Sequence, residues 1–326
     1  MKRFPKKIIF ILASVCLGLG IIICTAGFAM AGFNLDRLSG RQEARFSESY
    51  DLPEGLLLHL SDLDVQLTSG AGTQVQVEGE NCRLEVTRRA DGTLAIQQAR
   101  TNRAWYEMME LSGWERGQVT VTLPESFSGT IQVEMDGGNL TAENLPKLQA
   151  MRVEKGDGKT ALTGLQTEAA CSVEQAYGSV ILEQVSAGSV TLDLDDGALS
   201  LTEVDVAGQL TVQKDMGAIQ INQVAAAACK IEAEDGQIQL QDSRIEGELQ
   251  AYLDMGNIYF NRSTAGVISC EVEDGSVTGT LLGSRADYKV GVEIEDGSSN
   301  LQTSHTGEKE IRIKIDMGRV DLDFAE

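Results

Sequence analysis

Along most of this chain apolar and polar residues alternate with a period of two, and the alternating block itself returns about every twenty residues. The period is best indexed on one glycine per block: Gly138, Gly158, Gly178, Gly197, Gly217, Gly236, Gly256, Gly275, Gly297 and Gly318, spaced 19–22 residues apart. Five residues before each glycine stand Val133, Val153, Val173, Leu192, Val212, Ile231, Ala251, Cys270, Val292 and Ile313, all apolar. Seven before, the column is again apolar throughout, from Ile131 and Met151 to Val290 and Ile311. Beyond the glycine the alternation resumes at the second and fourth positions, as in Val180 and Leu182 or Ile238 and Leu240. A period of two with one apolar face predicts strands, and the glycine marks a corner between two of them.

A unit of about twenty residues cannot bury its own apolar face. Units stacked at a spacing of ~4.8 Å can, by forming continuous ladders of Val, Ile and Leu. The expected fold is therefore all-β: a single-stack parallel β-solenoid of about ten coils over residues 129–326, right-handed by the crossover rule. Residues 56–128 hold strand-like runs at 64–67, 74–77, 94–96 and 119–123 without the period. They are expected to form a β-rich N-terminal cap, because an open end of such a stack invites edge pairing. Residues 100–116, with Trp105, Trp114 and Tyr106, break the pattern and read as a loop or short helix packed over that end. The last two periods lengthen, with insertions at 284–287 and 304–308, which predicts looser and more decorated final coils.

The N-terminus follows other rules. Lys2, Arg3, Lys6 and Lys7 precede a stretch, residues 8–35, that contains no charge. That predicts a basic cytoplasmic tail (1–7), one transmembrane helix (8–33) and a linker (34–55), with the remainder extracytoplasmic. Cleavage after Ala29-Met30-Ala31, giving a secreted protein, is the alternative reading. Ser14 and Gly18 have the spacing of a small-residue helix contact, a pattern common in any membrane span.

Composition sharpens this picture in one respect. The formal net charge is −22, and four of the basic residues lie in the tail, so the rest of the chain is more acidic still. Such a surface repels phosphate backbones, which argues against nucleic acid and leaves cations or basic partners as the compatible class. The acids are also ordered. Two residues before the glycine stand Asp195, Asp215, Glu234, Asp254, Glu273, Glu295 and Asp316, seven in succession, with Asp136 earlier. Four before the glycine, Glu134, Glu154, Glu174, Asp193, Glu232, Glu271 and Glu293 form a second lane. This stripe is the candidate binding surface. A solvated face that keeps the rod soluble and resists lateral aggregation is the simpler reading of the same residues. Just before the glycine, Asp and Met partly alternate, which relieves repulsion at the corner.

Catalytic chemistry has little to draw on. His59 and His305 are the only histidines, and no Ser/His/Asp order, nucleophile elbow, phosphate-cradling loop or Cys/His cluster is present, so no catalytic residue, metal site or cofactor is expected. Cys171, Cys229 and Cys270 face inward two or three coils apart, too far to bridge, and read as core thiols; Cys82 stands alone.

The glycine-cornered repeats, and above all the ending VGVEIEDGSSNLQTSHTGEKEIRIKIDMGRVDLDF, resemble the bacterial "putative adhesin" β-strand-repeat family of unknown function, which includes the LiaG-like proteins of Gram-positive cell-envelope stress operons. The resemblance spans roughly residues 56–324. It implies a surface-exposed, often membrane-tethered β-solenoid with no established activity and supplies no site residues. The expectation is a non-enzymatic, adhesin-like module that binds an envelope protein or polymer. The alternatives are a calcium-type cation-binding rod along the acidic ladder and, last, a polysaccharide-active β-helix enzyme.

Overall fold

The computed structural model describes residues 16–21, 25, 45–99 and 116–325. The chain divides into two compact units, Met1–Ala44 and Arg45–Glu326. In the first, residues 16–21 and 25 are helical. Among the described residues no helix is long and apolar enough to cross a membrane, and the expected span 8–33 lies largely outside them. The tryptophan-bearing stretch 100–115 lies outside them as well.

The second unit is all-β, with its strands in one large sheet. In chain order they are β1 (Arg45–Asp51), β2 (Gly55–Leu60), β3 (Leu63–Gly70), β4 (Gln74–Glu80), β5 (Leu84–Arg88), β6 (Thr93–Gln98), β7 (Gly117–Pro124), β8 (Thr130–Met135), β9 (Leu140–Glu143), β10 (Ala150–Thr163), β11 (Ala170–Ala187), β12 (Ser189–Asn222), β13 (Ala225–Gln241), β14 (Arg244–Leu282), β15 (Tyr288–Ser299) and β16 (Lys309–Ala325). From β8 onward neighbouring strands pair in parallel, and each corner glycine faces the next: Gly158 with Gly178, Gly178 with Gly197, Gly217 with Gly236 and Gly236 with Gly256. The strands are long because the chain turns at the glycine without leaving the ladder.

The inward columns are those of the sequence pattern. Val153, Val173, Leu192, Val212 and Ile231 stack one above another with almost no exposure, as do Val180, Leu199, Ile219, Ile238 and Ile258 on the far side of the corner. Each such side chain contributes about 1.5–3 kcal/mol by leaving water. A third inward column, Val185, Val204 and Val224, follows a second corner six residues after the glycine. There Asn144, Gln184, Glu203, Gln223, Asp242 and Arg262 adopt φ between 46° and 55°, the left-handed region, with Gly164 at the equivalent place.

The glycine corner is stricter. Gly217, for example, has φ 114°, and a Cβ on it would overlap the carbonyl oxygen of Gly197 one layer away. Only glycine fits where backbone meets backbone this closely. At the second corner the side chains have room and bond along the stack: Gln184 Nε2 donates to Glu203 Oε2 at 3.0 Å, and Arg262 Nε lies 3.4 Å from Asp242 Oδ1.

Both ends of the stack depart from chain order. At the C-terminal end β16 lies between β14 and β15, so Gly318 faces Gly275 on one side and Gly297 on the other. The last two layers carry the insertions but do not follow in chain order: the terminal strand is tucked inside and the penultimate one forms the edge. The insertion at 284–287 makes the crossing possible. It folds into one 3-10 turn whose capping box has Ser284 N donating to Asp287 Oδ2 at 2.8 Å. A clasp then closes over it: Tyr288 packs on Phe324 with ring centroids 5.4 Å apart, its hydroxyl donates to Leu282 O at 2.8 Å, and Lys309 Nζ donates to Thr264 Oγ1 at 2.7 Å. The outer edge of β15 is partly blocked by Ser304, which exchanges backbone hydrogen bonds with Val290 at 2.9 and 3.0 Å.

The N-terminal end uses the same device. β2 and β3 lie inside, parallel to β8 and β9 on one side and to β6 and β7 on the other. Residues 56–128 thus continue the parallel ladders without the glycine period, and only β1, β4 and β5 are added antiparallel.

Candidate functional site: the acidic corner

The seven acids two residues before the glycine occupy one line on the stack. At this position the ladder skips a pair. Gln175 faces Leu194 and Tyr177 faces Asp196, while Asp195 between them is unpaired on the bend; Lys214 faces Ala233 and Met216 faces Asp235, which leaves Asp215 and Glu234 in the same place. A residue on such a bend points outward. Asp195, Asp215, Glu234, Glu273 and Glu295 are exposed, and Asp254 and Asp316 half-exposed. Consecutive members are one layer, ~4.8 Å, apart.

The tuck of β16 corrects the expected order: Asp316 lies between Glu273 and Glu295. It also rewrites the second lane. In chain order Glu271 and Glu293 would be neighbours, and like charges directly opposed are destabilising. Lys314 is placed between them, facing both, with Nζ 2.6 Å from Glu271 Oε1 and 3.9 Å from Asp316 Oδ1. These contacts hold the Lys314 ammonium above its ordinary range, Glu271 contributing most. Glu273 is tied differently, accepting from Tyr252 Oη at 2.9 Å.

Two further cations lie beneath the corner, at the inward position three residues before the glycine. Lys155 and Lys214 are buried in a column that also holds buried Gln175 and is otherwise apolar, with Leu194, Ala233, Leu253, Val272 and Ile315 among its members. Lys155 Nζ donates to Lys159 O at 2.7 Å, and beside it Thr160 Oγ1 donates to Gln175 Oε1 at 2.6 Å. Burial pushes the Lys155 amine down to about 8, against the pull of Asp157. Lys214 is lowered by burial too, and Asp196, Asp215 and Asp195 oppose that shift. The outer carboxylates thus have internal counter-charges. Sequence reasoning missed them, although the signal was present: a lysine at an inward step of a period-two pattern.

The corner is not uniform. At the two layers where the stripe has Gly156 and Ala176 in place of an acid, the missing side chains leave a trough of about 370 Å³. Glu134, Asp136, Glu154, Glu174, Asp193 and Asp195 line it with His59, whose Nδ1 lies 2.9 Å from Glu134 Oε2. Of the seven predicted residues only Asp195 reaches this trough; the others continue along the corner away from it. Among the described residues no three His, Cys, Asp or Glu side chains are grouped so as to hold a metal ion. Cys171, Cys229 and Cys270 are buried free thiols, pushed up by burial to about 12 and so held as unreactive core residues.

Residues 54–323, most of the chain, match the Toastrack DUF4097 family. The chain belongs to that family. Among curated proteins no sequence matches it. Solved structures similar to this Toastrack chain include a "putative cell adhesion protein" from Clostridium sporogenes, 12% identical over 87% of this chain and all of that one, with a TM-score of 0.29. A "putative lipid binding protein" from Parabacteroides distasonis is 11% identical over 86% of this chain and 97% of that one, with a TM-score of 0.43. A "putative adhesin" from Bacteroides fragilis is 10% identical over 86% and 98%, with a TM-score of 0.33.

Proposed function

We propose that this Toastrack protein is a non-enzymatic, adhesin-like module: a β-solenoid of coils of about twenty residues, tethered to the membrane by residues 8–33 and presenting its acidic corner to an envelope protein or polymer. One observation carries the reading. The carboxylates Asp195, Asp215, Glu234, Asp254, Glu273, Asp316 and Glu295, exposed or half-exposed, run layer after layer along one line of the stack. A catalytic carboxylate pair would depart from the repeat at one place, whereas these acids recur. A repeated charge on a fixed scaffold favours a long, basic partner met at many points, each contact weak and all of them sensitive to salt.

The test is crosslinking in cells. Full-length protein is compared with a variant carrying Asp195→Asn, Asp215→Asn, Glu234→Gln, Asp254→Asn and Glu273→Gln. A crosslinked envelope partner that the wild type retains and the variant loses, at unchanged melting temperature, supports the proposal. Equal recovery by both proteins would remove the corner from any role in binding.

A further inference from the structure

The position immediately before the glycine forms a second line on the same corner, and strand order makes it regular. Read up the stack it runs Asp157, Tyr177, Asp196, Met216, Asp235, Met255, Asp274, Met317 and Asp296. From the Gly158 layer onward acid and large side chain alternate at every step; the Gly138 layer, with Gly137 at this position, stands outside the pattern. In chain order the alternation fails, because Asp274 is followed by Asp296; the insertion of β16 places Met317 between them.

Every residue of this line is exposed. Tyr177, Met216, Met255 and Met317 are 52–59% exposed, and among the described residues of the Arg45–Glu326 unit the only other exposed large apolar side chains, Leu52 and Tyr259, are less so, at 43% and 42%. Relief of charge repulsion would be met by serine, threonine or asparagine. Four large apolar side chains held in water are not needed for it, and ordered exposed apolar surface marks contact. Methionine, flexible and polarisable, suits a surface that adapts to what it binds.

The charges decide the occupant. A second copy of this chain, at a formal net charge of −22, brings like charge against like, and anionic lipid or nucleic acid is repelled in the same way. A bare cation or polyamine meets the aspartates and leaves the methionines in water. A basic polypeptide with apolar side chains at intervals satisfies both. The apolar side chains recur every second layer, ~9.6 Å. An extended polyproline-II segment places every third residue on one face at ~9.3 Å. An α-helix presents every seventh residue at ~10.5 Å. Across the three intervals from Tyr177 to Met317 the extended segment drifts by only about 1 Å and the helix by about 3 Å.

We infer that the corner ridge Tyr177–Met216–Met255–Met317 docks a basic segment in extended, polyproline-II conformation, with an apolar residue at every third position against the ridge and Lys or Arg set against Asp196, Asp235 and Asp274. The inference rests on the interaction role given above and names the partner's chemistry.

The test uses full-length protein in nanodiscs of zwitterionic lipid, with empty nanodiscs as blank, and fluorescence anisotropy of two labelled peptides: four repeats of Leu-Lys-Pro and four repeats of Ser-Lys-Pro. The wild type should bind the leucine peptide at least about tenfold more tightly than the serine peptide, as expected for several partly buried apolar contacts. The variant Met216→Ser/Met255→Ser/Met317→Ser should lose that preference and keep a weak, salt-sensitive affinity for both. The variant Asp196→Asn/Asp235→Asn/Asp274→Asn should weaken both. Each variant's melting temperature is measured to establish that it is folded. Equal affinity of the wild type for the two peptides, or an unchanged preference in the methionine variant, overturns the ridge. Neither result touches the cellular crosslinking test, so failure here is separable from failure of the broader role.

Discussion

At the scale of single residues the stack has two kinds of corner, and only one was legible in the sequence. The glycine corner leaves no volume for a Cβ beside the next layer's carbonyl, so its residue type is forced and appears as a period. The second corner needs only the ordinary left-handed conformation, which Gln184, Glu203, Gln223, Asp242 and Arg262 reach at a cost of roughly 1–2 kcal/mol each. Unlike residues in one column give no period to read. Gly217→Ala should therefore cost about 3 kcal/mol or more through strain and overlap, whereas Gln223→Ala should stay within about 1 kcal/mol. Comparable losses of thermal stability for the two would refute the distinction. The buried lysine makes a separate prediction. In the unfolded chain Lys155 titrates at its ordinary 10.5, and in the folded protein at about 8, so between those values the unfolded state binds more protons and stability rises with pH. Below about pH 8 the cost of burying the ammonium is present in full. Lys155→Met should be more stable than the wild type at pH 7 by about 1–2 kcal/mol, with the gap closing as pH passes from about 8 toward 10.5. A gap independent of pH would mean that the lysine is not buried as a charge.

At the scale of elements the surprise is the exchange of neighbours at both ends. Strand character and inward columns were readable from 129 onward because period-two burial is written into each block. The order of the last two strands was not, since β15 and β16 carry the same inward pattern and either fits on β14. Electrostatics separates the two arrangements: Lys314 divides Glu271 from Glu293, and Met317 divides Asp274 from Asp296. Leu322 is held further by the Asn300 side chain, which accepts from its N–H at 3.0 Å and donates to its carbonyl at 3.1 Å. Hydrogen exchange tests the order directly. Although β16 ends the chain, its amides should be protected longer than those of β15, because β16 is paired on both edges and β15 on one. Faster exchange at 311–322 than at 292–299 would return the strands to chain order.

At the scale of the whole Arg45–Glu326 unit, charge and packing answer different questions. The interior makes the stack, through its buried columns of Val, Ile and Leu. The corner carries the charge: an acid line, an alternating Asp and Met line beside it, and lysines buried behind. The acid line was legible because its residues share a spacing from the glycine. The trough was not, because it arises from what Gly156 and Ala176 lack. The completed alternation was not either, because it exists only after β16 has moved between its neighbours.

The tuck also bears on how the molecule takes load. A strand at the open end of a stack peels away one hydrogen bond at a time, and little force is needed. Tension applied to β16 instead meets a strand bonded along both sides, with Tyr288 packed on its Phe324 and its Lys309 bonded to Thr264. It must be sheared out of two ladders together. Pulled from the end of β16, the unit would resist unravelling more than a stack whose last strand lies at its edge.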